Sequence, residues 1–93
     1  MKESIFYILT INLKEEYDRK FFKKKINLAI DWIKIMPNVF IIESVSDKDK
    51  WLNRLKQSLN ENEFFLAEID INNNTGYLPK WIWEWINTKK ESK

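Results

Sequence analysis

The sequence contains no cysteine and no histidine, and it has only one glycine and two prolines. Without cysteine, disulfide bonds and thiolate metal sites are excluded, which fits a reducing cytoplasm. Without histidine, the chain lacks the commonest general base, the commonest metal ligand and every Ser-His or Cys-His catalytic pair. These absences argue against most enzyme classes, and we expect a cytoplasmic protein that holds no cofactor.

Long hydrophobic runs are missing as well. No segment approaches the ~18 apolar residues that would cross a bilayer, so no membrane partner is expected. The apolar run at 5–13 carries Thr10 and Asn12 and has no small-residue cleavage site. It is therefore interpreted as a strand and not as a secretory signal.

The composition that is present suits one small domain spanning residues 1–93. Of the 93 residues, 44% are hydrophobic and 15% aromatic, with six Phe, five Trp and three Tyr. Large aromatic side chains bury much area per residue, which a thin core needs. The 16 basic and 14 acidic residues leave a net charge of +2, which permits nucleic-acid binding without requiring it.

Hydrophobic periodicity predicts alternating strands and helices. The β-branched run at 5–13 predicts a strand, and apolar residues at helical spacing predict a first helix over 14–28. The segment 31–45 predicts a hairpin turning at Pro37 and Asn38, because proline fixes the backbone at one turn position and asparagine tolerates the next. Ser46 is the predicted cap of a second helix ending at Asn60, and 63–71 predicts a fourth strand.

The order β-α-β-β-α-β followed by a terminal helix predicts an α+β fold, a ferredoxin-like sandwich. In that fold two helices cover one sheet face. The first strand alternates Tyr7 and Leu9 with Phe6 and Ile8, so it is apolar on both sides and the second face also needs a cover.

The segment GYLPKWIWEWI at 76–86 is the expected cover of that second face. It predicts a helix over about 78–88, with 89–93 as a flexible tail. The predicted apolar arc consists of Leu78, Trp81, Ile82, Trp85 and Ile86. Trp83 falls at the margin of this arc and is the residue expected at an interface with a partner.

Four segments together resemble a known group of small bacterial proteins. They are LTINL at 9–13, DWIKIMPNVFIIES at 31–44, DKWLNRL at 49–55 and GYLPKWIWEWI at 76–86. The group is similar to the CRISPR-associated Cas-two family and the related VapD-like proteins. The resemblance implies a ferredoxin-like homodimer, with a role in antiviral defence or mobile elements. Several relatives are described as metal-dependent nucleases, and others act structurally.

The nuclease activity of that family relies on an aspartate at the end of the first strand, where this sequence has Asn12. An amide is a poor substitute for a carboxylate on a divalent cation, because it lacks the negative charge. Asn12, Glu43 and Asp70 are the weak catalytic candidates, with Mg²⁺ as the cofactor only under the nuclease alternative. We favour a non-catalytic protein.

A basic cluster in the first helix has two interpretations. One is a solvated face balanced by Glu15, Glu16 and Asp18. The other is a phosphate-contacting patch for nucleic acid. The cluster consists of Arg19, Lys20, Lys23, Lys24 and Lys25.

Three hypotheses follow from these observations. The favoured one is a dimeric binding or scaffolding module that associates with nucleic acid. The alternatives are a divalent-metal-dependent nuclease, and a phage- or plasmid-borne inhibitor that binds a host protein through the first helix.

Overall fold

The computed structural model describes residues 3–91. Seven elements follow one another along this part of the chain. They are β1 (Ile5–Asn12), α1 (Arg19–Ile26), β2 (Asp31–Met36), β3 (Val39–Ser44), α2 (Lys48–Ser58), β4 (Glu63–Ile69) and α3 (Lys80–Glu91).

The four strands form one antiparallel sheet in the order β2-β3-β1-β4. The central strand β1 pairs with β3 on one side and with β4 on the other. The fold is thus α+β, a four-stranded antiparallel sheet with three helices in the described residues, and it is compatible with the ferredoxin-like expectation. β2 and β4 are the edge strands of this sheet.

One face of the sheet packs against α1 and α2. Side chains alternate across a strand, so Tyr7, Leu9 and Ile11 of β1 all point to this side. They join residues from β3 and from both helices in the first hydrophobic cluster. Its buried members are Tyr7, Leu9, Ile11, Phe22, Ile26, Phe40, Ile42, Trp51, Leu55 and Leu59.

The opposite face is covered by α3, as the apolar residues on both sides of β1 indicate. Phe6 on β1, Ile33 on β2 and Ile41 on β3 meet Ile82 and Ile86 of α3 in the second hydrophobic cluster. Ile71 completes the buried set, and Leu78, Trp83 and Trp85 pack against it. The C-terminal helix therefore packs on the sheet.

The turn predicted at Pro37 and Asn38 is confirmed. β2 ends at Met36 and β3 begins at Val39, so these two residues alone form the connection. Asn38 has a φ of 62°, a left-handed conformation that asparagine tolerates better than most residues.

The helix and strand ends differ from the predicted ones. α1 begins at Arg19, not at residue 14, because Asp18 caps it by accepting hydrogen bonds from the Lys20 and Phe21 amides. α2 is capped by Asp47 and not by Ser46, whose carbonyl accepts the Tyr7 hydroxyl at 2.8 Å.

The last strand and the last helix also end elsewhere than predicted. β4 ends at Ile69, because Asp70 Oδ1 accepts the Asn72 amide and turns the chain. α3 spans Lys80–Glu91, so residues 89–91, which the sequence placed in a flexible tail, are helical. The last two residues of that predicted tail lie outside the described residues.

The tryptophans of α3 correct the predicted apolar arc. Trp81 was assigned to the buried side but is 57% exposed. Ile82 and Ile86 are buried, and Trp83 and Trp85 are half-buried. The buried side of α3 therefore centres on Ile82 and Ile86. Trp81 lies outside it, and Trp83 packs against the second hydrophobic cluster.

Candidate nucleic-acid interface

The outer face of α1 carries the basic residues that the sequence singled out. Phe22 and Ile26 point into the first cluster, and the basic residues at 19, 20, 23 and 24 are all exposed. Arg19, Lys20, Lys23 and Lys24 line one shallow hollow together with Asn27. The structure thus gathers most of the predicted basic cluster on one exposed surface.

Three of these cations lie over aromatic rings. The Arg19 guanidinium is 5.0 Å from the centre of the Tyr17 ring, and Lys23 Nζ is 5.8 Å from that of Trp32. Lys25 Nζ lies 5.3 Å from the Phe21 ring. Such contacts stabilise an exposed cation by about 0.5–1 kcal/mol and leave its outer side open to an anion.

None of the five basic residues forms an ion pair with a carboxylate within residues 3–91. The ion pairs there involve Lys14, Lys48 and Lys89. One expectation was that Glu15, Glu16 and Asp18 balance the positive charge of these residues. Asp18 Oδ1 instead accepts hydrogen bonds from backbone amides at the start of α1. The positive charge of α1 is therefore not neutralised by close carboxylates of the described chain.

Sequence analysis missed one further cation, Lys34 on the edge strand β2. Its Nζ lies 5.9 Å from the centre of the Phe40 ring, and that ring packs against Trp32 at 5.8 Å. Lys23 and Lys34 thus flank the same aromatic pair, one from the helix and one from the strand. The alternation of side chains along 31–36 is the signal that places Lys34 on the helix side of the sheet.

These cations of α1 and β2 together form the basic surface, which comprises Arg19, Lys20, Lys23, Lys24, Lys25 and Lys34.

The weak catalytic candidates are not brought together. Asn12, at the end of β1, donates a hydrogen bond to Glu63 Oε1 at 3.2 Å. Glu43 lies beside Phe6, near the start of β1, which is about 20 Å from Asn12 at the usual rise per residue. Asp70 follows Ile69, which pairs with the other side of Phe6, so a whole strand separates it from Glu43.

Glu43 and Asp31 belong to a charged network that fastens α3 to the sheet. Lys89 Nζ lies 2.9 Å from Asp31 Oδ2 and 2.9 Å from Glu43 Oε1, the latter an ion pair without good hydrogen-bond angles. The Ser4 hydroxyl donates to Glu43 Oε2 at 2.9 Å, and Trp85 Nε1 donates to Asp31 Oδ2 at 3.2 Å. These contacts give Glu43 a structural role.

The pKa values of this network follow from its contacts. Burial alone would raise the pKa of Asp31, but the hydrogen bonds and positive charge supplied by Lys89, with the Trp32 amide, lower it overall. Burial alone would lower the pKa of Lys89, but the close carboxylates of Asp31 and Glu43 raise it overall. Both groups are therefore held in their charged forms.

Comparisons with protein-family models, with curated proteins and with solved structures find no match. Within residues 3–91, no group of three or more acidic side chains is placed to hold a metal ion. In the same part of the chain, no helix has the length and apolarity needed to span a membrane.

Proposed function

We propose that this chain is a non-catalytic binding or scaffolding module that contacts the phosphate backbone of nucleic acid through the basic surface. The observation that carries this proposal is a set of six cations on α1 and β2, four of which line one hollow, and none of the six is paired with a carboxylate in the described residues. Cations placed in this way attract phosphates and release counterions when they bind.

Duplex is the form of nucleic acid that this surface suits better. Single-strand binders stack bases on open aromatic faces. Here a cation lies over each of Tyr17, Phe21 and Trp32, and Trp32 Nε1 also donates to Asn27 Oδ1 at 2.8 Å. Contacts to phosphates alone would make binding independent of sequence.

The proposal includes the family resemblance and the dimer that it implies. The strand order β2-β3-β1-β4 and the element order β-α-β-β-α-β support a ferredoxin-like assignment with an added helix. We propose a homodimer similar to the Cas-two family, acting in a defence or mobile-element setting in the cytoplasm. The separation of Asn12 from Glu43 and Asp70 supports a structural role over a nuclease.

The test is a titration of a 30-base-pair DNA duplex, followed by fluorescence anisotropy at several salt concentrations. If the five basic residues of α1 all meet phosphates, the log-log salt slope is about −4.5. The double variant Lys23→Glu/Lys24→Glu should weaken binding strongly and flatten this slope. Incubation of the duplex with Mg²⁺ tests the nuclease alternative in the same samples.

A matched control separates local charge from net charge. Lys48→Glu/Lys50→Glu changes two exposed residues in the first turn of α2, and it lowers the net charge of the chain from +2 to −2, as the α1 variant does. The control should bind nearly as the parent does. Equal loss in both variants, or no salt dependence in the parent, would refute a specific phosphate-binding surface on α1.

A further inference from the structure

A tryptophan beside the hollow of the basic surface contacts two of the groups that line it. Trp32 packs against the first cluster from β2, and its ring lies 5.8 Å from that of Phe40. Lys23 Nζ lies 5.8 Å from the centre of the Trp32 ring, and Trp32 Nε1 donates a hydrogen bond of 2.8 Å to Asn27 Oδ1. One anchored side chain therefore holds a cation and an amide in defined positions.

The hydrogen bond from Trp32 determines which way the Asn27 amide faces. An indole N–H can only donate, so its partner is the carbonyl oxygen of the amide and not the NH₂ group. Asn27 Nδ2 therefore turns away from the indole, and no hydrogen bond joins it to another group of the described residues. Asn27 is exposed and lines the hollow. The amide thus offers uncharged N–H donors beside the lysines.

Four residues around the hollow are neighbours on the surface of α1. Residues three or four positions apart on a helix lie about 5–6 Å apart between Cβ atoms. Lys20 has Lys23 and Lys24 at these spacings, and each of those two lysines has Asn27 at the same spacing further on. Asn27 directly follows α1 and keeps a right-handed helical backbone. The four side chains therefore surround one place on the helix surface, which Arg19 borders.

We propose that this hollow binds one phosphate group, and that Asn27 Nδ2 donates a hydrogen bond to a phosphate oxygen beside the ammonium groups of the three lysines. A phosphate oxygen accepts charge-assisted hydrogen bonds from lysine and further bonds from neutral donors. Trp32 is a positioning residue, because its one polar hydrogen is already donated to Asn27. This site rests on the proposed function and deepens it, since the phosphate is held at a defined place and not by charge alone.

The neutral donor gives the site a property that general charge attraction lacks. Each phosphate contact made by a cation releases counterions and adds about −0.9 to the log-log salt slope. An amide carries no charge and displaces no counterion. The contribution of Asn27 should therefore appear in the dissociation constant and not in the slope.

Asn27→Ala tests the amide in the full chain, with the same anisotropy titration of the 30-base-pair duplex. The dissociation constant should rise about three- to tenfold through loss of one hydrogen bond. The salt slope should stay that of the parent. Asn53→Ala, which changes an exposed asparagine on α2, is the matched control and should bind as the parent does. Circular dichroism checks that both variants are folded.

Trp32→Phe tests the positioning role. It removes the Nε1 donor and keeps an aromatic ring beside Lys23 and Phe40. Duplex affinity should fall, again with an unchanged salt slope. Because Trp32 acts through the amide, the double variant Trp32→Phe/Asn27→Ala should bind no more weakly than Asn27→Ala alone. Additive losses would overturn the positioning role.

Nuclear magnetic resonance identifies the donor and the source of the phosphate. The side-chain amide signal of Asn27, recognised by its absence from Asn27→Ala, should shift when inorganic phosphate replaces chloride at constant ionic strength. Duplexes with 5′-hydroxyl and with 5′-phosphate ends should both shift it. Equal affinity for the two duplexes supports a backbone phosphate as the ligand, and tighter binding of the second supports a terminal phosphate.

Failure of the phosphate site and failure of the proposed function give different results. A parent chain that binds duplex without salt dependence would contradict the proposed function. A parent that shows the salt dependence, together with an Asn27→Ala variant that loses no more affinity than Asn53→Ala, would overturn the phosphate site and leave the basic surface standing. A changed slope in Asn27→Ala, or an Asn27 amide signal that neither phosphate nor duplex moves, would overturn the site as well.

Discussion

At the scale of single residues, Asn62 forms a set of hydrogen bonds that its neighbours in the sequence do not reveal. It is 5% exposed, and its Oδ1 accepts the Lys14 and Glu15 amides at 2.7 and 2.9 Å. Its Nδ2 donates to the carbonyls of Glu15 and Leu59. One side chain therefore holds the connection between β1 and α1 against the end of α2.

Asn62→Ala should lower the free energy of unfolding by about 2–3 kcal/mol, because backbone groups lose partners in a poorly hydrated place. Urea denaturation followed by tryptophan fluorescence measures the change. Asn60→Gly is a suitable comparison, because it removes one exposed hydrogen bond to the Glu16 carbonyl and tolerates the φ of 55° at this position. A loss no larger for Asn62 than for Asn60 would contradict the anchoring role.

Neighbouring residues of α3 should also respond very differently to truncation. Ile82 is 1% exposed and belongs to the second cluster, whereas Trp81 is 57% exposed. Ile82→Ala should cost about 2–5 kcal/mol through loss of buried area and the cavity left behind. Trp81→Ala should cost less than about 1 kcal/mol, despite removing the larger side chain. Thermal unfolding of the two variants tests which one loses more stability. A larger loss for Trp81→Ala would show that the buried face of α3 is not the one that carries Ile82.

At the scale of elements, the hairpin between β2 and β3 depends on the backbone of Asn38, with its φ of 62°. Asn38→Ala should destabilise the protein by about 1 kcal/mol, because a β-carbon disfavours this conformation and asparagine is one of the few residues that tolerate it. Asn38→Gly should be neutral or slightly stabilising. Equal losses in both variants would mean that the side chain, and not the backbone angle, sets the stability of the turn.

Several elements could be predicted from the sequence because their signals are local. The turn at Pro37 and the alternation of β1 need only neighbouring residues to be recognised. Helix ends were predicted less well. Residues 14–18 carry helix-compatible side chains, but Asn62, distant in the chain, binds the Lys14 and Glu15 amides outside any helix. Such a tertiary contact leaves no local signal.

In the candidate site, too, the features with a local signal were predicted and those that depend on tertiary contacts were not. Helical spacing alone groups the basic residues of α1. Lys34 joins them only because β2 lies beside α1 in the folded chain, and the role of Glu43 emerges only with Lys89. A charged residue next to the end of an apolar strand is a weak hint of a buried ion pair, and the sequence indicated Glu43 only as a weak catalytic candidate.

At the scale of the whole molecule, a single sheet carries two hydrophobic clusters, and one ion-pair network helps to close the second. The Lys89 side chain is 16% exposed and the Glu43 side chain 12%. Lys89→Met leaves Glu43 without this cation in a poorly solvated place, so we expect a loss of about 2–3 kcal/mol at pH 7. Lys90→Met is the control on the same helix turn. The double variant Lys89→Met/Glu43→Gln should recover part of the loss, since it removes the unpaired charge.

This contribution should depend on pH in a defined window. The folded pKa of Asp31 is below its usual 3.8, so the stability it adds is present above pH ~3.8 and is lost as pH falls through the folded pKa. The folded pKa of Lys89 is above its usual 10.5, so its contribution is full below pH ~10.5 and is lost as pH rises through the folded pKa. The stability difference between the parent chain and Lys89→Met should therefore be flat from about pH 5 to pH 9 and shrink on both sides. Urea unfolding at a series of pH values measures it, and a difference that keeps its full size at pH 3 would show that packing, and not the ion pair, fastens α3 to the sheet.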